Sequence, residues 1–423
     1  MNSYSKKLEF LDWEFGVFFH FGIRSFFPGH NDWDGKEMPM EAFNPTELDC
    51  ESWIKTVKAA GARYAILTCK HHDGFSLWPT KYSEYSVAGT PWKDGKGDVV
   101  SEFVSACRKH GLNVGLYYSP AQWGKYAISF ANGKEYDDYF INQVTELLTN
   151  YGKIDYLWFD GCGSENHEFD MQRIVAAINE ASPEILTFCS PKWAQGIKWP
   201  GNEDGYVSLN NPLMVSSADF SEKSTELEIL DEEIFLPAEC DCKIRNTWFI
   251  DDNEDTIKSL DELFGMYEMS VGHGSNFLLN IGPDSRGLIS DADANRFLEL
   301  GERIQASYAK PLPYTDIEKN GDTYTIVHDE LELPSWKTPS AEKLSNTVVI
   351  REDLTDGQKI ESFSVYAYLP NYKTKKIQVF EGKTVGHKVI CKFSPIRASK
   401  YEVVINSASG EHKIRDIKAY FVK

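Results

Sequence analysis

The segment Lys70-His71-His72-Asp73-Gly74 sets an ammonium, two imidazoles, a carboxylate and a glycine directly behind an apolar run, Tyr64 to Thr68. His20 follows a second apolar run, and Asp160 follows Trp158-Phe159. Glu203 stands in Gly-Asn-Glu-Asp-Gly, and Glu239 stands close to Asp241 and Arg245. Such a set could serve three chemistries. Three histidines and an aspartate suffice for a zinc ion. Imidazoles and carboxylates can exchange protons with a substrate. Two carboxyl groups about 5 Å apart can flank a glycosidic bond that is hydrolysed with retention. The metal reading has the least support, because neither H-x-H nor H-E-x-x-H is present. Adjacent histidines on a strand also face opposite sides, so only one of His71 and His72 would face a common centre unless the strand has ended. No metal and no cofactor are expected. For the carboxyl pair, Asp160 is one member. The residues leave the second open between Glu203, on a loop that can swing to a leaving oxygen, and Glu239, on a strand beside Arg245, where the positive charge favours the ionised form.

These residues need elements to bring them together. Up to about residue 308, short apolar runs (15–22, 64–71, 113–120, 156–161, 185–190 and 276–283) alternate with amphipathic stretches (51–61, 98–111, 137–151, 168–181, 254–271 and 291–309). Alternation of this kind predicts parallel βαβ units. Between 200 and 250 the pattern is less regular, and YVSLNN, EIFLPAECDC and TWFI are the candidates for the remaining strands of a (β/α)8-like barrel. No G-x-G-x-x-G follows the first strand, which counts against a dinucleotide-binding sheet. In a barrel, the C-terminal strand ends face the active site. Here they carry His20, Lys70 to Asp73, Tyr117-Tyr118-Ser119 and Trp158 to Gly161. A lone histidine after a strand is ordinarily structural, and a lone aspartate ordinarily caps the next helix. Four polar strand ends together ask for a site, since each buried polar group costs free energy unless paired. Beyond Pro311-Leu312-Pro313 the texture changes to seven or eight short strand-like runs, which predict an antiparallel β-sandwich. The expected division is a catalytic barrel over 1–310 and a sandwich over 311–423. The sandwich is read as a buttress for the barrel, with a carbohydrate-binding module as the alternative.

The 423 residues carry a formal charge of −20, without the basic footprint that a nucleic-acid partner requires. The 11 Trp, 21 Tyr and 25 Phe suit both a large core and a sugar-binding cleft. None of the eight cysteines has C-x-x-C spacing, so neither a zinc framework nor a disulfide scaffold is expected. No run approaches 18 apolar residues, and no membrane span is expected. The N-terminus lacks a long apolar segment, so a cytoplasmic location is expected.

The blocks WEFGVFFHFGIRSF, GARYAILTCKHHDGFSLWPTKYSEYSV, GLYYSPAQW and YLWFDG occur in the order and spacing of the α-L-fucosidases of glycoside hydrolase family 29, and the chain resembles that family over about residues 10–290. The resemblance implies a barrel followed by a β-sandwich, retention through a fucosyl-enzyme intermediate, and a fucosylated oligosaccharide as partner. By motif, Asp160 matches the nucleophile, and His20, His71, His72, Tyr118 and Trp158 match positions that hold the fucose ring. WPGNEDG resembles the W-x-G-N-E segment of the subgroup that prefers α-1,3/1,4-linked fucose on branched oligosaccharides, which makes Glu203 the acid/base. PAECDCKIRNTWF resembles the strand of that subgroup in which Glu239 and Arg245 are expected to shape the site. Trp33 and Glu37, in NDWDGKEMP, are placed by position at the mouth. Phe21 stands where the family commonly has Trp, and Asn246-Thr247 where it has Pro-Gly. The alternatives are a broad-specificity α-L-fucosidase acting on α-1,2 and α-1,6 links and aryl fucosides, and a catalytically inactive fucose-binding protein.

Overall fold

The structure is a computed structural model that describes residues 3–29, 34, 36–126, 128, 133–163, 167–188, 196–219, 227–328, 344–370 and 375–423. Among the described residues, eight parallel strands form one sheet in the order β6-β5-β4-β3-β2-β1-β10-β9. They are β1 (Phe15–Phe19), β2 (Tyr64–Lys70), β3 (Asn113–Tyr118), β4 (Tyr156–Phe159), β5 (Leu186–Phe188), β6 (Gly196–Ile197), β9 (Ala238–Lys243) and β10 (Ser275–Asn280). A parallel bridge between Lys198 and Ala238 brings the two edges together and all but closes a barrel. The remaining pair, β7 (Met214–Asp219) and β8 (Leu227–Phe235), is an antiparallel hairpin outside the barrel. The expected strands YVSLNN and TWFI are not strands, and EIFLPAECDC is divided between the hairpin and β9.

Among the described residues, six α-helices lie between and after the barrel strands: α2 (Cys50–Ala59), α3 (Val99–His110), α4 (Lys134–Asn150), α5 (Met171–Ala181), α6 (Leu260–Ser270) and α7 (Asp291–Tyr308). Most begin at a side-chain cap. Asp49, Asp98, Asp170, Ser259 and Ser290 each accept a backbone N–H of the first turn, satisfying a donor that the helix leaves unpaired. A further helix, α1 (Ser3–Trp13), plugs the N-terminal end of the barrel. Its Phe10 and Trp13 pack on Tyr64 and Tyr156, and Asn276 Nδ2 donates to the Phe10 carbonyl at 2.8 Å.

The barrel interior is filled by the alternate, inward-facing residues of neighbouring strands, among them Phe18, Tyr64, Ile66, Tyr117, Tyr156 and Trp158. Tyr64 fits because it faces Gly16 on β1, where a Cβ would come within 2.3 Å of its ring. Beyond α7 the chain forms a five-stranded antiparallel sheet, β11-β12-β17-β14-β15, and a three-stranded one, β16-β13-β18. In chain order these are β11 (Glu318–Asn320), β12 (Thr323–Val327), β13 (Ser345–Glu352), β14 (Ile360–Tyr368), β15 (Lys376–Gly382), β16 (Val389–Ile396), β17 (Lys400–Ala408) and β18 (Ile414–Tyr420). Alternation along β13 decides the packing. Val348 and Ile350 enter the core between the two sheets, whereas Val349 joins the core of the barrel. The sandwich is also held by charge. Glu14, between α1 and β1, pairs with Arg351 (2.9 Å), His387 (3.3 Å) and Lys388.

Candidate active site

The polar strand ends meet at the C-terminal mouth. Strand β2 ends at Lys70, so His71 and His72 lie beyond it and escape strand alternation. The chain then turns sharply at Gly74 (φ +83°), whose N–H donates to the His71 carbonyl. Both imidazoles therefore face one pocket, with ring centres 4.2 Å apart, as the sequence allowed only if the strand had ended before them. His71 stacks on Tyr117 (5.6 Å, 10°), and His20 stacks on Trp248 (4.7 Å, 27°). His20 Nδ1 lies 2.7 Å from Asn280 Oδ1. Burial is the main cause that pushes the His20 imidazole down to about 3 and His71 well below its usual value. At neutral pH both are uncharged rings suited to exchanging hydrogen bonds with hydroxyl groups.

Asp160 follows β4. Its Oδ1 accepts the Cys162 N–H at 2.9 Å, and its Oδ2 accepts the Tyr117 hydroxyl at 2.9 Å and lies 3.3 Å from His72 Nε2. Burial alone would raise its pKa. The His72 charge and the three hydrogen bonds outweigh burial and hold the carboxyl below the ordinary value. A carboxylate so held is ionised at neutral pH and keeps lone pairs toward the pocket.

Tyr117, not Tyr118, is the tyrosine of this pocket. Alternation along β3 turns Tyr118 outward, where its hydroxyl donates to Gln143 of α4 and its ring meets Phe140. Trp158 lies inward, stacked between Tyr117 (5.3 Å) and Phe188 (4.0 Å), and its indole N–H points down to Glu239.

Glu239 does not reach the mouth. As the second residue of β9 it lies deep in the barrel, fully buried, on the level of Tyr64 and Tyr156. It accepts Tyr64 (2.6 Å), Tyr156 (3.0 Å) and Trp158 Nε1 (3.0 Å), and burial raises it to about 7 despite those donors. It shapes the site from below, through Trp158. Arg245 is likewise committed elsewhere. Its guanidinium bonds Asp293 in the first turn of α7 (2.9 Å), Ser290 and the 251–253 segment. It thereby fixes the chain that carries Trp248.

Glu203 arrives from the seam between β6 and β9. The Lys198–Ala238 and Asp204–Cys242 bridges tie its loop along β9, and Trp199 Nε1 donates to Asp241 at 2.7 Å. Its exposed carboxylate meets Lys243 Nζ at 2.6 Å, and Lys243 sits over Trp248, the ring that stacks on His20. Glu203 thus stands at the rim on the Trp248 side, while Asp160 stands on the His72 side. Asp241 is pushed well up by burial and then by the Glu203 charge. Glu37 is exposed and paired with Lys125 beyond β3 at 3.0 Å. Trp33 lies outside the described residues.

The α-L-fucosidase family profile matches residues 1–307, nearly three quarters of the chain. The chain belongs to the α-L-fucosidases of glycoside hydrolase family 29. It is an α-L-fucosidase, a glycoside hydrolase. It is 30% identical to α-L-fucosidase 1 of Arabidopsis thaliana over 98% of this chain and 87% of that one. A Bacteroides ovatus structure assigned as an α-L-fucosidase is 32% identical, with a TM-score of 0.85 over 99% of this chain and 74% of that one. A family 29 structure from a rumen bacterium is 29% identical, with a TM-score of 0.84 over 99% and 77%. In this fucosidase the described (β/α)8-like barrel and the antiparallel β-sheet unit are the family architecture.

Proposed function

We propose that this fucosidase removes terminal α-1,3/1,4-linked L-fucose from branched oligosaccharides by double displacement, with Asp160 as nucleophile and Glu203 as acid/base. The observation that carries the reading is the hold on Asp160. Tyr117, His72 and the Cys162 N–H keep a carboxylate ionised on the floor of a histidine-lined pocket, and a second carboxylate stands at the rim. His20, His71 and His72 hold the sugar hydroxyls, and the Tyr117–Trp158 stack and Trp248 supply the apolar walls. An Asp160 oxygen forms a bond to the anomeric carbon while the bond from that carbon to the aglycone oxygen breaks. Glu203 gives its proton to the departing oxygen. A water then gives a proton to Glu203 and attacks the anomeric carbon, and the carbon–Asp160 bond breaks to free fucose. The W-x-G-N-E resemblance around Glu203 supports the linkage preference.

Two measurements test this reading. The configuration of the first product, followed by NMR with an aryl α-L-fucoside, is expected to be retained. A panel of 3-fucosyllactose, a Lewis-type trisaccharide, 2′-fucosyllactose and the aryl fucoside is expected to show fast release from the first two. Preference for the α-1,2 link would move the enzyme to the broad-specificity group. Glu203→Ala is expected to regain turnover of the aryl fucoside with azide; rescue of Glu239→Ala instead would overturn the assignment.

A further inference from the structure

We propose that His71, His72 and Asp160 form a site for one zinc-type divalent ion, which takes the place of the fucose ring and inhibits the enzyme. The ion is an inhibitor and has no part in hydrolysis. The proposal rests on the reading that the sugar occupies this pocket.

Each of the three residues offers one ligand atom, and the three atoms lie within 4.8 Å of one another. Around a tetrahedral zinc with bonds of about 2.0–2.1 Å, neighbouring donor atoms are separated by about 3.3–3.4 Å. His72 Nε2 and Asp160 Oδ2 already stand 3.3 Å apart. His71 then needs a shift of about 1.5 Å at most to complete a face of the tetrahedron.

The hydrogen bonds behind His72 point the same way. The Ser119 hydroxyl donates to the Ala121 carbonyl at 2.6 Å, so it accepts from His72 Nδ1–H at 2.6 Å. His72 Nε2 therefore faces the Asp160 carboxylate, and a cation that takes the place of the proton shared between them would bridge the two residues. An imidazole whose other nitrogen donates to an oxygen is also the usual form of a zinc-bound histidine. The Asp160 side chain is 23% exposed, which leaves the fourth position toward the mouth for water. Two nitrogens and one oxygen select zinc or copper over calcium and magnesium, which take oxygen ligands.

Zinc binding is measured first by competition with a chromophoric chelator, an assay independent of turnover. The expected result is one zinc per chain, undisturbed by excess magnesium or calcium, with an apparent Kd that rises in proportion to added L-fucose. Zinc is expected to inhibit aryl fucoside hydrolysis competitively, and EDTA to reverse it. His71→Phe, with an unchanged Tm, is expected to lose at least tenfold in zinc affinity. Absence of a one-to-one complex below about 0.1 mM zinc overturns the proposal, as does unchanged affinity in folded His71→Phe. Zinc bound at these residues yet indifferent to fucose would keep the metal site and refute the sugar reading. Fucose bound, by its own calorimetric titration, to a protein that takes no zinc would do the reverse.

Discussion

Tyr117→Phe removes one hydroxyl from the floor of the pocket and keeps the ring that stacks on His71 and Trp158. The lost atom is a donor to Asp160 Oδ2 at 2.9 Å. A hydrogen bond to a charged group contributes about 1.5–3 kcal/mol, and one pKa unit corresponds to about 1.36 kcal/mol. Asp160 would rise by about one to two units on that basis. His72 and the Cys162 N–H remain, and water can reach the carboxylate, which draws the expected shift to about one unit. Asp160 is depressed in the folded enzyme, so the reactive anion is present above its pKa and is lost as pH falls through it. The acidic limb of kcat/KM should therefore move to higher pH by about one unit in the variant. The assay is a pH–rate profile on an aryl α-L-fucoside, from about pH 3 to pH 8, with tryptophan fluorescence to show that both proteins stay folded. A limb left in place would refute the claim that Tyr117 helps to hold the nucleophile ionised. Tyr118→Phe, which loses a bond to Gln143 on the outer face, should leave the limb where it is.

Asp160→Asn should lower kcat/KM by about 10⁴-fold or more while L-fucose still binds by calorimetry. Glu239→Leu leaves three buried donors without an acceptor, at about 1–3 kcal/mol each before relaxation, and should lower the urea midpoint sharply. Glu239→Gln should cost far less, because the Tyr64 hydroxyl can turn to accept from the new amide. Since Glu239 is raised to about 7 on folding, the native state binds the extra proton between the ordinary glutamate value and neutrality, and this site makes stability fall as pH rises there. The Gln variant should lack that slope in urea titrations. Glu14→Ala should cost about 3–5 kcal/mol, because Lys388 and Arg351 lose their buried partner. Glu14 is depressed by those same cations, so its contribution is present above the ordinary glutamate value and lost toward acid. The variant's urea midpoint should respond less to acid than the parent's.

The barrel strands that end in chemistry were legible because each couples an apolar run to a polar terminus, as in Tyr64 to His72. What the sequence hid follows from geometry. Motif resemblance picks Tyr118, but the inward phase of β3, shared with Trp158 on β4, puts the Tyr117 ring in the pocket instead. Depth is a second blind spot. Glu239 and Asp241 have the same parity on β9, and counting from the start of the strand is the signal that puts Glu239 on the Tyr64 level. The two-residue strand β6 is too short to leave a pattern, so the hairpin and the TWFI segment competed for its place. The amphipathic signal of α1 is faint because its apolar residues, Phe10, Leu11 and Trp13, crowd at the end that enters the barrel.

The seam where the Lys198 N–H meets the Pro237 carbonyl and the Glu239 N–H meets the Lys198 carbonyl gives the barrel a preferred place to come apart. From β4 through β3, β2, β1 and β10 to β9 the hoop is stitched by ladders of four to six residue pairs, and these thin to three between β4 and β5 and two between β5 and β6; at the seam beyond β6 two backbone bonds, at 2.8 and 3.0 Å, carry the closure. Breathing motions of the cylinder should concentrate at that stitch, and amide protons of Lys198 and Glu239 should exchange with solvent ahead of those in β1 and β2. Glu203 rides a few residues beyond it. Heat or denaturant should then silence the enzyme by unhooking its rim while most of the hydrogen-bonded cylinder still stands, so that loss of turnover precedes loss of ellipticity on warming.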